Sequence, residues 1–132
     1  MLFRSGPAPG RLLRCTRLGK FLGELTLEGA AADATGLAFD MGRDVLLVLG
    51  EGGRRVTVHD LSGRRASTVT FDRRAGPSLA FDADQREFHA PLPDRPGEIG
   101  IFSGDGRFLR STRAPAGSTL VDVGPRSFIR VF

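Results

Sequence analysis

The chain has no tryptophan, tyrosine or asparagine, and only one cysteine, one lysine and two histidines. Each shortage excludes something. With Cys15 alone, no intrachain disulfide can form and nothing ties the chain to an oxidising compartment. Cys15 reads as a small half-buried strand residue rather than a reactive thiol, because no histidine lies near it in sequence. No stretch approaches the roughly 18 consecutive apolar residues of a membrane-spanning helix. The opening residues are broken by Arg4, Pro7, Pro9 and Arg11, unlike the apolar run of a secretory leader. The expectation is a soluble cytoplasmic protein that does not engage a membrane. Helical periodicity is absent throughout.

What is present is arginine, glycine and phenylalanine. The 132 residues include eighteen arginines, 18 glycines and 10 phenylalanines, with 40% hydrophobic content and a net charge of +4. The hydrophobic share is enough for a core of ordinary size. Much of the arginine bias, and of the pI near 10.8, follows the codon usage of a GC-rich coding sequence.

Two anchors repeat. The first is a turn glycine followed by a basic residue: Gly19-Lys20, Gly63-Arg64 and Gly106-Arg107, spaced 44 and 43 residues apart. Turn formers precede two of them, Asp60-Leu61-Ser62 and Ser103-Gly104-Asp105, as a tight hairpin with a positive-φ residue requires. The second is a short apolar strand ending in aspartate: Gly36-Leu37-Ala38-Phe39-Asp40 and Ser78-Leu79-Ala80-Phe81-Asp82, with Thr119-Leu120-Val121-Asp122 as a weaker third copy. Alternating apolar residues flank each turn glycine, as in Val56 with Val58 and Ile99 with Ile101.

One full copy therefore holds four strands, a to d, near 36–40, 45–49, 55–60 and 65–71. The next runs near 78–82, 86–90, 98–103 and 107–113. A partial copy with strands b to d occupies 2–27, and an incomplete piece occupies 118–132. Four antiparallel strands per unit of about 40 to 45 residues is the pattern of a β-propeller blade. The expected fold is all-β, one domain over 1–132, with about three blades of a partial ring.

The stretch from Gly36 to Asp40, through Val45-Leu46-Leu47-Val48 and Gly52-Gly53-Arg54-Arg55-Val56-Thr57-Val58, to Asp60 and Gly63 resembles an NHL repeat. The ending from Val121-Asp122-Val123-Gly124 to Val131-Phe132 is similar to the last blade of such propellers. Gly50-Glu51-Gly52-Gly53 and the proline-rich Pro91 to Pro96 replace the family's Asp- and Asn-bearing turn. The resemblance implies a binding scaffold of the kind found at the C-terminus of tripartite-motif ubiquitin ligases, where the propeller selects the target.

Three blades and a fraction leave apolar blade faces uncovered. A segment of a longer protein is the first expectation, a head-to-tail homodimer closing a six-bladed ring the second, and a short open array the third.

Catalytic motifs fail residue by residue. Arg14 stands where a phosphate-binding loop ahead of Gly19-Lys20 needs glycine, and Arg55 where the Gly50, Gly52, Gly53 cluster needs the last glycine of a dinucleotide fingerprint. Asp82 and Asp84 open like a calcium loop, but Arg86 occupies the third ligand position. His59 aligns with Phe102 and Cys15, which suggests packing, and His89 reads the same way. No catalytic residue, cofactor or metal site is expected. The alternative is a piece of a lactonase-like or amidating-lyase-like propeller hydrolase or lyase whose metal ligands lie on other blades.

The b-to-c and d-to-a connections are expected on one face, carrying Arg11, Arg54, Arg55, Arg73, Arg74 and Arg95 as candidate partner-binding residues. Glu28, Asp33, Glu51, Asp72, Asp94 and Glu98 share that face, so its charge is mixed rather than the one-sign groove a phosphate backbone selects. A protein partner is expected, with RNA the second choice.

Overall fold

The computed structural model describes residues 2–5, 11–15, 18, 20–30, 33–114, 118–122 and 127–131. The expected Gly19 turn lies outside them, as does the side chain of Cys15. Thirteen strands are described: β1 Leu2–Ser5, β2 Arg11–Cys15, β3 Phe21–Thr26, β4 Gly36–Asp40, β5 Val45–Gly50, β6 Arg55–His59, β7 Arg65–Thr70, β8 Ala80–Asp82, β9 Glu87–Pro91, β10 Glu98–Ser103, β11 Phe108–Arg113, β12 Ser118–Asp122 and β13 Ser127–Val131. Helix is confined, among the described residues, to a 3-10 turn at Glu51–Gly53. No described helix is long and apolar enough to cross a membrane.

The strands form four antiparallel meanders, ordered β1-β2-β3, β4-β5-β6-β7, β8-β9-β10-β11 and β12-β13. Strands β4, β8 and β12, the first of their sheets, lie against one another, while β7 and β11 are outermost and largely exposed. This is the radial arrangement of propeller blades, all-β as the repeat predicts.

Alternation explains how the blades stack. Strand β5 is an apolar run buried on both sides, which a strand between two sheets requires. Its Leu46 and Val48 pack backward with Leu12, Leu25 and Leu27 of the first sheet. Leu47 and Leu49 pack forward with Phe71, Leu79, Phe81, Phe88, Ala90 and Phe102. The forward layer is the larger and is rich in rings: Phe71 stacks on Phe102 at 4.3 Å between centroids, and Phe88 meets Phe71 and Phe81 edge-on.

The turn glycines do more than supply positive φ. A Cβ on Gly63 would overlap the Thr26 carbonyl at the end of β3, and one on Gly106 would overlap the Thr70 carbonyl at the end of β7. Each glycine carbonyl also accepts a backbone N–H from the blade before it, Glu28 to Gly63 at 2.9 Å and Asp72 to Gly106 at 3.2 Å. The same joint is thus made twice, one repeat apart. The start of each d-to-a connection lies against the c-to-d hairpin of the next blade, Glu28 at Gly63 and Asp72 at Gly106.

Candidate functional site

The b-to-c loop of the first complete blade, residues 50–54, is held from both sides. Asp33, in the connection before the blade, accepts the Glu51 and Gly52 N–H groups at 2.8 and 2.7 Å. Those two bonds hold its carboxyl below the usual aspartate range. From the connection after the blade, Arg74 Nε donates to the Gly52 carbonyl at 2.9 Å and Ala75 N donates to the Gly53 carbonyl at 2.9 Å. Gly53 is required, since a Cβ there would overlap the Ala75 carbonyl. Glu51 adopts φ 53 within this turn.

The six candidate arginines separate into two groups. Four are paired with carboxylates: Arg11 with Glu24 at 2.8 Å, Arg55 with Glu51 at 3.2 Å, Arg73 with Asp94 at 3.6 Å and Arg95 with Glu98 at 3.9 Å. Arg73 also lies 4.4 Å over the Phe108 ring. Arg54 and Arg74 have no carboxylate within ion-pair distance among the described residues, and both are exposed. The Arg74 bond to Gly52 brings them to one loop. Arg11 belongs to the first sheet and is tied to its own neighbour strand. On the hairpins, Arg64 and Arg107 stand beside Asp60 and Asp105, whose carboxyls are held low chiefly by Ser62 and Ser103 hydroxyls.

The two histidines differ in burial. His59 is fully buried, with Nδ1 3.1 Å from the Gly63 carbonyl and Nε2 2.8 Å from Thr57 Oγ1. A carbonyl only accepts, so Nδ1 carries the proton; in the neutral ring Nε2 then accepts the Thr57 hydroxyl at 2.8 Å, in competition with that hydroxyl's longer 3.4 Å bond to the Val48 carbonyl. Burial pushes the imidazole below its ordinary pKa, against the pull of the Gly63 carbonyl. His89 is half-buried and is also pushed down by burial. Asp82 is a turn cap rather than half of a carboxylate pair: its Oδ1 accepts the Asp84 and Gln85 N–H groups. No group of three or more His, Cys, Asp or Glu residues suited to a metal occurs among the described residues. A depression lined by Val48, Gly50, Glu51, Arg55 and Thr57 has room for a water-sized group only.

Sequence reasoning missed Asp40 as an inter-blade residue. It is buried at the end of β4, accepts Gly42 N–H at 2.9 Å, and meets Arg86 of the following blade at 2.6 Å. The recurring strand-terminal aspartate was the available signal.

No family model and no curated protein matches the chain. Solved structures do. A protein of unknown function from Bacteroides caccae matches 86% of this chain and 42% of its own length, at 16% identity and a TM-score of 0.55. Hydrazine synthase of Kuenenia stuttgartiensis matches 81% of this chain and 30% of its own, at 14% identity and a TM-score of 0.52. At such identities the likeness is one of fold. The chain spans less than half the length of either structure.

Proposed function

We propose that the chain is a non-catalytic binding module, in which propeller blades present the 50–54 loop and its neighbour Arg74 to an acidic protein surface. The observation that carries this reading is the contrast between a loop pinned by Asp33, Arg74 and Ala75 and the two guanidinium groups left unneutralised on it. A loop ordered before binding loses little conformational entropy on docking, and arginine is favoured at interface centres. The pairing of Arg11, Arg55, Arg73 and Arg95 leaves two cations in one place rather than a track along a strand, which favours a protein over RNA. The resemblance of residues 36–63 to an NHL repeat supports a target-selecting role of the tripartite-motif ubiquitin-ligase kind.

The test is capture of partners from lysate of the source cells by the wild-type chain and by an R54E/R74E variant, with proteins identified by mass spectrometry. Loss of a defined acidic protein from the variant supports the reading. An unchanged set of captured proteins sinks it. Binding of single-stranded poly-U by the wild type, abolished by the same substitutions and weakened by salt, would transfer the site to RNA.

A further inference from the structure

The two blade joints are alike in backbone and differ in one buried side chain. In each, a turn glycine's carbonyl accepts an N–H from the sheet before, Glu28 to Gly63 at 2.9 Å and Asp72 to Gly106 at 3.2 Å. In each, the strand ahead of the turn shifts register just before its last paired residue, His59 in one hairpin and Phe102 in the other. Both of these residues are fully buried. Phe102 is a ring among rings, stacked on Phe71 and edge-on to Phe108. His59 is bonded to the joint itself: the carbonyl that accepts Glu28 N–H also accepts His59 Nδ1–H at 3.1 Å.

The neutral imidazole suits this place and the charged one does not. A proton added at Nε2 would turn the Thr57 hydroxyl from donor to acceptor, leaving the hydroxyl hydrogen only the long 3.4 Å bond to the Val48 carbonyl. The imidazolium would then meet only neutral acceptors in a site closed to water, where an unpaired charge is costly. Its surroundings do not compensate. Arg65, its partner on β7, repels the charge, and Leu46, its partner on β5, is apolar. Asp60 and Glu28 attract it, but Asp60 Oδ1 is engaged by Ser62 and the Arg64 N–H. No carboxylate bonds to the ring among the described residues. Parting Glu28 from Gly63 is the nearest route for water to the ring, because one carbonyl serves both bonds.

We propose that protonation of His59 opens the joint between Glu28 and Gly63 and leaves the joint between Asp72 and Gly106 closed. The device is an acid-sensitive catch at one blade boundary. Leu25 lies beside Gly63 and belongs to the layer of Leu12, Leu27, Leu46 and Val48, so opening there loosens an apolar seam between the first and second sheets. The event is local and precedes global unfolding. It involves neither the 50–54 loop nor Arg74, on which the partner-binding reading rests.

The experiment is amide hydrogen exchange of the full chain, followed residue by residue by NMR and corrected for the intrinsic rate at each pH. Between about pH 7.5 and about pH 5.5, above the range in which ordinary carboxylates take up protons, protection of the Glu28 amide should fall. For one proton, taken up by a ring that titrates normally once hydrated, the fall is limited to about tenfold. Asp72, bonded to Gly106, should keep its protection. His59→Phe should abolish the fall at Glu28, and His89 is retained in that variant, so its titration cannot account for the difference. The comparison of Glu28 with Asp72 is made within the wild-type chain, and it stands even if His59→Phe does not fold. Unchanged protection at Glu28, a parallel fall at Asp72, or a fall that persists in His59→Phe would each overturn the proposal.

Discussion

Arg86 closes over Asp40 at 2.6 Å, joining the inner strand of one blade to the first turn of the next. The aspartate side chain is 2% exposed and the arginine 38%, so the charge is buried on one side and open to water on the other. The guanidinium also lies 4.8 Å over the Phe81 ring, and it reaches that position from a residue at φ 56.

Replacing Arg86 with Ala should therefore leave a buried carboxylate held only by the Gly42 N–H. Breaking a buried pair from one side costs about 3 to 5 kcal/mol, and the partial exposure of Arg86 places this case near 3. Replacing Asp40 and Arg86 together by Leu and Met should recover most of that loss. Urea denaturation of the two variants measures both effects. A single Arg86→Ala variant as stable as wild type would show that Arg86 contributes nothing to holding the Asp40 carboxylate.

The turn glycines give a sharper contrast. Gly63→Ala and Gly106→Ala should each destabilise by about 3 kcal/mol, combining roughly 1 to 3 for overpacking with about 1 for a positive φ. Gly52 also has positive φ, at 67, but nothing lies within 4 Å of the Cβ it would gain. Gly52→Ala should cost only about 1 kcal/mol. Thermal melts of the three variants would separate the blade joint from turn conformation. Equal losses at all three positions would mean that the close approach to Thr26 and Thr70 contributes nothing.

Stability should fall as the solution becomes acidic, and His59 supplies the sign. Its folded pKa is depressed below 6.5, so between that value and the folded one the unfolded chain binds the extra proton. The stabilising effect of neutral His59 is complete above about pH 6.5 and is lost as pH falls through the window beneath it. Arg65 pushes in the same direction as burial, while Asp60 and Glu28 oppose it. His89 adds a slope of the same sign, with burial and Arg110 opposed by Asp82 and Glu87. Urea midpoints from pH 8 to pH 5 should drop in the wild type and drop less in His59→Phe, which installs the residue found at the equivalent Phe102. Identical pH profiles for the two proteins would remove His59 as the source.

The strands were legible because their determinants are local: turn glycines a repeat apart, and apolar residues at a period of two. Predicted and observed strands differ by a residue or two, and the largest shift is at β8, where Ser78 and Leu79 precede the paired residues. The blade-to-blade contacts were not legible. Asp40 and Arg86 lie 46 residues apart, and nothing in the composition of either neighbourhood says which of several arginines reaches the carboxylate. His59 was readable as a packing residue from its alignment with Phe102. Its bond to Gly63 was not, because it depends on the register shift between Val58 and His59 that turns the hairpin. The six candidate arginines were grouped by expected connections, yet Arg11 opens β2 and Arg55 opens β6, and the division into four paired and two unpaired depends on side-chain geometry.

That division makes the 50–54 loop the place where order and recognition should separate. Asp33 and Arg74 both hold the loop through backbone groups, yet both are exposed, so their removal should change local order more than global stability. Asp33→Ala should speed amide exchange at Glu51 and Gly52, whose N–H groups lose their acceptor. Arg74→Ala should leave those two amides protected, since Arg74 grips the Gly52 carbonyl instead. Arg74→Lys keeps the charge but loses the Nε donor, and so tests whether position or charge matters at this loop. Hydrogen exchange by mass spectrometry across residues 45–60, with urea midpoints alongside, distinguishes the cases. If Asp33→Ala leaves exchange of the loop unchanged, the loop is ordered by its contacts with Arg74 and Ala75, and the binding proposed for Arg54 would then not depend on the connection before the blade.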